Sequence, residues 1–181
     1  RARVLMITPG YPPAVGGTEI QCARLSEALV ARGHDVKVVT RGYAGASPSE
    51  VRCGVVIRRS RVWGGRRSPV TRALSAFAFL RVVWRESRTV RGLPAALIHH
   101  HGLGMSLVIA RLALGRRRVP IVAKVLCGGD GGECGRIRRD RRFAPAWLEH
   151  RSQWAASGLR SGAVCVVSRR LARHEIGPSQ P

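Results

Sequence analysis

Four groups of residues in this 181-residue chain have types and spacings that could do chemistry. Gly16-Gly17 stands between a short apolar run, Val4-Leu5-Met6-Ile7-Thr8, and Thr18, which with Gln21 three residues later has the form of a capping box. Glycines let a backbone come close to a ligand, and a helix N-terminus offers free N–H groups at the positive end of its dipole. That combination makes a phosphate site, although a plain turn would use the same residues. Neither a G-x-G-x-x-G nor a G-x-x-x-x-G-K-[ST] pattern is present, so a dinucleotide fingerprint and a P-loop are unsupported. The second group is His99-His100-His101, at the end of an apolar run. On a strand His99 and His101 point one way and His100 the other. Such a pair can bind a sugar hydroxyl or shuttle a proton near neutral pH, or be satisfied by backbone. Three adjacent positions cannot all aim at one ion, which argues against a metal site. Third is Gly128-Gly129-Asp130-Gly131-Gly132-Glu133, whose backbone could wrap a ligand and whose carboxylates could bond hydroxyls; an ordinary surface loop is the alternative. Fourth, Arg67, Arg81, Arg85 and Arg88 fall within a roughly 60° wedge if residues 69–91 form one helix. Val70, Phe77, Leu80 and Trp84 lie beside them. Basic residues flanking aromatics suit a helix lying on an anionic membrane, while a core-facing helix with a solvated arginine stripe reads the same way.

The elements that must position these groups follow from apolar periodicity and turn residues. Residues 4–8 form a strand closed by Pro9-Gly10, a helix starts at Thr18 and ends at Gly33, and residues 35–40 form a second strand. Strand, glycine loop, helix, strand within 40 residues is a βαβ unit. Within the helix Cys22, Leu25 and Leu29 share one face. Residues 41–54 read as loop, 55–58 as a strand, 69–91 as a long helix and 95–99 as a strand that runs into the histidines. A helix over 104–115, a strand over 120–125, a helix over 145–160, a strand over 163–168 and a short helix from Arg169 complete the chain. The alternation predicts an α/β protein: an open parallel sheet with helices on both faces, its ligands bound at the carboxyl ends of the strands.

Composition narrows the function. A net charge of +22 draws attention to nucleic acid. Yet 30 of the 32 basic residues are arginine, scattered along the chain, and Lys37 and Lys124 are the two lysines. That pattern is what a GC-rich coding sequence produces, so no nucleic-acid partner is expected. Five cysteines without C-x-x-C spacing do not suggest a disulfide framework. The sequence carries no signal-peptide pattern and no apolar run of membrane-spanning length, so a cytoplasmic location is expected, with peripheral attachment to the inner face of the membrane if the arginine helix is interfacial.

Taken together, the residues resemble the N-terminal domain of a family 4 glycosyltransferase of the GT-B architecture. The resemblance is carried by Arg3-Val4-Leu5-Met6-Ile7-Thr8-Pro9-Gly10-Tyr11-Pro12-Pro13, by Gly16-Gly17-Thr18-Glu19, and by Leu25-Ser26-Glu27-Ala28-Leu29. It continues through Arg32-Gly33-His34-Asp35-Val36, Val38-Val39-Thr40, Ile98-His99-His100-His101-Gly102, Pro120-Ile121-Val122 and Val166-Val167-Ser168. It spans nearly the whole chain, and the first 42 residues are its most specific part.

The resemblance implies one half of a two-domain enzyme: a Rossmann-like domain over 1–176, with 177–181 beginning the connection to a donor domain not contained in these residues. It implies a retaining transfer from a nucleotide-sugar to an acceptor, with the nucleotide-sugar as donor substrate and no separate cofactor or obligatory metal. Gly16 and Gly17 would give backbone N–H groups to the donor diphosphate. His101, with His99, would line the cleft near the acceptor or the transferring sugar, as the candidate catalytic residues. Gly129, Gly132 and Glu133 would form the cleft loop. Half a donor site alone would transfer little. Two departures stand out: Ala96 where an aspartate often begins the fourth strand, and Leu126 or Cys127 where some members carry a histidine. A non-catalytic α/β module recognising phosphate or a protein partner is the alternative.

Overall fold

A computed structural model of the chain describes residues 1–62, 68–116, 119–124 and the strand backbone of 164–167. The elements are β1 (Arg3–Ile7), α1 (Gly17–Ala31), β2 (Asp35–Arg41), β3 (Ser49–Arg52), β4 (Val55–Ser60), α2 (Pro69–Thr89), β5 (Ala96–His101), α3 (Met105–Leu114), β6 (Ile121–Lys124) and β7 (Val164–Val167). They build one seven-stranded sheet in the order β3-β4-β2-β1-β5-β6-β7. The central five strands, β4-β2-β1-β5-β6, are parallel, with β1 at their middle.

The central strands are apolar on both faces because helices cover both. On one face Val4, Met6, Val36, Val38, Val55 and Ile57 pack against Cys22, Leu25 and Leu29 of α1. On the other Leu5, Ile7, Val39, Ile98, Ile121 and Ala123 meet Phe79 and Val83 of α2 and Leu107, Ala110 and Leu114 of α3. Each fully buried side chain of this kind stabilises the fold by roughly 1.5–3 kcal/mol relative to exposure. One ion pair is set among them. Lys37, beside Leu5 in the register, points to the α2 side and meets Glu86 at 3.0 Å. Burial pushes the Glu86 carboxyl up, but Lys37 and Arg85 outweigh it and hold the carboxyl below its ordinary value.

The expected α/β sheet with helices on both faces is present, with three corrections. The sheet is mixed, because β3 and β7 run antiparallel to their neighbours β4 and β6. Strand β3 lies in the segment read as loop. It forms a hairpin with β4 through Cys53-Gly54, both with positive φ (48° and 75°). Positive φ at both central positions is the turn whose twist matches paired strands. Cysteine lacks the side-chain bonding that favours asparagine or aspartate there, so the residue pair gave no turn signal. The capping box also does not form. Gly16 is the N-cap, no side chain caps the helix, and Gln21 is used elsewhere. Strand β5 runs through His101, so the three histidines lie on the strand as expected. The expected helices over 145–160 and from Arg169, the 177–181 connection and Arg67 lie outside the described residues.

Candidate functional site

Strand polarity brings the candidate residues to one edge. The register pairs Met6 with His99 and His101 with Lys124. Met6 packs on the α1 side, so His99, His101 and Lys124 share the face that α1 covers. His99 and His101 stack with ring centroids 4.6 Å apart and planes tilted by 50°. The Lys124 ammonium donates to the Gln21 side-chain oxygen, one turn into α1. The helix N-terminus, the histidine pair and a lysine therefore converge at the carboxyl edge of the sheet. A separate pocket of about 310 Å³ lined by Arg1, Arg3, Asp35, Leu93 and Pro94 lies at the opposite, amino edge.

The three histidines divide by role as the alternation predicts. His100 points to the α3 side, where Nδ1 lies 2.7 Å from the Gly102 carbonyl and Nε2 2.9 Å from the Ser106 hydroxyl. A carbonyl can only accept, so Nδ1–H donates to it and Nε2 accepts from Ser106. This ring is a structural tie. His101 is equally buried, 1% exposed, yet neither ring nitrogen has a hydrogen-bond partner among the described residues. Burial, then the nearby His99, Lys124 and His100 charges, lowers its pKa to about 4. Burial and then Lys124 lower that of His99 as well. Burial also brings His100 to about 4, against the opposing Gly102 bond. At neutral pH all three are uncharged, so His99 and His101 each offer one donor and one acceptor, which suits hydroxyl recognition better than ion pairing.

The phosphate-type loop is held from three sides. Tyr11 is buried and its hydroxyl pairs with Ser26 of α1 at 3.0 Å. Arg59, at the end of β4, donates to the Pro12 carbonyl at 2.8 Å and forms an ion pair with Glu50 of β3 at 3.0 Å. Thr8 Oγ1 donates to the Gly10 carbonyl at 2.8 Å. Gly16 itself is extended, with φ −177°, so its glycine character is about space and not strain. A Cβ at Gly10 or at Gly16 would run into the Glu19 carboxylate, which folds back over both, whereas a Cβ at Gly17 would meet open space. A carboxylate in the first turn gains from the helix dipole, and an incoming anion would share that ground with it.

Of the residues singled out in the sequence, Gly16, Gly17, His99 and His101 are thus brought to one edge. Gly129, Gly132 and Glu133 lie outside the described residues, as do Leu126 and Cys127. Sequence reasoning missed Lys124, Gln21, Arg59 and Glu50. Lys124 had one available signal: it is one of two lysines in an arginine-dominated chain and ends a strand at the ligand edge. Arg59 and Glu50 had none, because their pairing depends on the hairpin.

Fold and site together define a Rossmann-like α/β domain with a polar carboxyl edge. Compared with known proteins, residues 16–177 match the glycosyl transferase 4-like domain, and the chain belongs to that family. It is 50% identical over 42 residues to an uncharacterized glycosyltransferase of Methanocaldococcus jannaschii, a stretch covering 23% of this chain and 11% of that protein. Among solved structures it is similar to a sucrose-phosphate synthase from Thermosynechococcus elongatus, with a TM-score of 0.51 and 19% identity. That likeness covers 68% of this chain and 33% of the synthase, and it supports the α/β fold alone. The chain spans a third or less of the length of either relative.

Proposed function

We propose that this chain is the acceptor-side half of a retaining glycosyltransferase that moves a sugar from a nucleotide-sugar donor to a hydroxyl-bearing acceptor. The observation that carries the reading is the convergence, at one sheet edge, of the α1 N-terminus, the His99–His101 pair and Lys124. Each supplies a different part of the chemistry. The N–H groups of Gly16, Gly17 and the following turn, with the Lys124 ammonium close by, would neutralise the charge that develops on the departing diphosphate. The neutral imidazoles would hold hydroxyls of the acceptor or of the transferring sugar, His101 having both ring nitrogens to give. The Arg59–Glu50 pair would keep the loop in register with the histidines. Gly129, Gly132 and Glu133 belong to the same proposal as the cleft loop.

The test is titration of the chain with a nucleotide-sugar such as UDP-glucose or GDP-mannose, beside a Gly16→Val variant. The three atoms nearest a new Cβ at Gly16 all belong to the end of the Glu19 side chain, which can swing away, so the variant is expected to fold. It is expected to bind the donor at least about tenfold more weakly, its backbone N–H groups now shielded by the side chain. Undiminished binding in Gly16→Val would remove Gly16 from the donor site. Binding of inorganic phosphate with no preference for a nucleotide-sugar would favour the non-catalytic module instead.

A further inference from the structure

Helix α2 carries two apolar faces, and the fold uses one of them. Phe79, Val83, Glu86, Ser87 and Val90 turn to the sheet and are buried. On the opposite side Val70 is 64% exposed, Leu74 46%, Phe77 66% and Trp84 39%. At 100° per residue these four lie within about 80° of one another and extend about 21 Å along the helix. Arg81, Arg85 and Arg88 lie on the same exposed side, spaced along its C-terminal half. Arg85 leans on Glu86 at 3.0 Å, while Arg81 and Arg88 have no ion pair among the described residues. Glu86 is the one carboxylate of α2, and it is turned inward to Lys37. The outer face is therefore apolar and cationic, with no acid on it.

We propose that this face of α2 docks the protein on an anionic lipid surface, with Val70, Leu74 and Phe77 entering the interface and Arg81 and Arg88 engaging lipid phosphates. Charge complementarity selects this occupant. A second copy packed through the same face would bring arginines toward arginines with no carboxylate to answer them, whereas a bilayer offers both an apolar layer and a dense row of anions. The chain's net charge of +22 adds long-range attraction to the same surface. No described helix is long and apolar enough to cross a membrane, so contact would be along the helix. The C-terminal end of α2, at Thr89, lies at the amino edge beside Arg3 and Asp35, so the apolar half of the helix lies toward the carboxyl edge of the sheet and the arginines toward the amino edge. The docking itself does not depend on the transfer reaction.

Co-sedimentation of the chain with phosphatidylcholine vesicles, with and without about a third phosphatidylglycerol, tests it. Binding is expected to be at least about tenfold tighter to the anionic vesicles. A Leu74→Ser, Phe77→Ser double variant and an Arg81→Ser, Arg88→Ser double variant should each lose about tenfold, and Arg81→Lys, Arg88→Lys should keep most of it. Brominated lipid should quench the wild type more than Trp84→Phe, placing Trp84 at the bilayer. Circular dichroism and unfolding temperature confirm that each variant folds. If Leu74→Ser, Phe77→Ser binds anionic vesicles as tightly as the wild type, attraction is diffuse charge alone and the proposal fails. It fails equally if the apolar variant instead dissolves a dimer while vesicle binding is unchanged.

Discussion

A buried imidazole with both ring nitrogens unpaired is costly, and among the described residues His101 is placed at that cost beside a neighbour, His100, whose two nitrogens are both satisfied. On the proposed function, the contrast separates a residue kept for ligand from one kept for structure. Replacing His101 with leucine should leave thermal stability unchanged or raise it by about 1 kcal/mol, because an unsatisfied polar group is removed. Nucleotide-sugar or acceptor binding should fall in the same variant. Replacing His100 with leucine should destabilise by about 1–3 kcal/mol, since Ser106 and the Gly102 carbonyl lose their partner. Thermal melts and titrations on the two variants check the pair. The histidines also set a pH dependence. Their ordinary pKa is 6.5, and in the folded chain His100 and His101 fall to about 4. Between those values the unfolded chain takes up protons that the folded chain does not, so stability is full above pH 6.5 and falls as pH drops toward 4. Urea unfolding midpoints across that range should decline on acidification; a flat profile would contradict neutral burial. The side assignment of the three histidines was legible in the sequence because strand alternation is strict. Which of them lacks partners was not, since Ser106 and the Gly102 carbonyl reach His100 only through the turn into α3.

At the scale of elements, the site depends on pieces whose roles emerge from pairing. The βαβ unit, the long helix α2 and the central parallel strands were legible because apolar runs and glycine or proline boundaries recur in the expected order. The β3–β4 hairpin was not legible: its turn is Cys53-Gly54, and Ser49–Arg52 has a single apolar residue, Val51. Missing the hairpin meant missing the Arg59–Glu50 tie, and with it the support of the Pro12 carbonyl. Arg59→Met should keep the parallel sheet yet loosen the loop, weakening nucleotide-sugar binding several-fold, with loss of exchange protection at the amides of residues 10–17 as the direct readout. The antiparallel direction of β7 likewise cannot be read from its own apolar run. The Lys37–Glu86 pair ties β2 to α2. Lys37→Met should destabilise by about 2 kcal/mol, as Glu86 stays buried with only Arg85 to answer it, and adding Glu86→Met should recover much of that loss. Denaturant melts of the single and double variants would show it.

For the whole molecule, the two edges of the sheet have different characters. The amino edge holds a shallow pocket by the exposed Arg3–Asp35 pair, 3.4 Å apart. The carboxyl edge gathers a helix N-terminus, two neutral imidazoles and an ammonium on one face. The chain belongs to the glycosyl transferase 4-like family, and the proposed function puts its chemistry at the second edge. The large positive charge, which at first suggested nucleic acid, is assigned by the two proposals to a diphosphate at that edge and an anionic surface beneath α2. The most direct measurement is amide chemical-shift mapping of the labelled chain during titration with a nucleotide-sugar. The shifts are expected to gather at residues 16–21, 99–102 and 124. Shifts confined to the amino edge, around Arg3, Asp35 and Leu93, or none at saturating donor, would contradict the account.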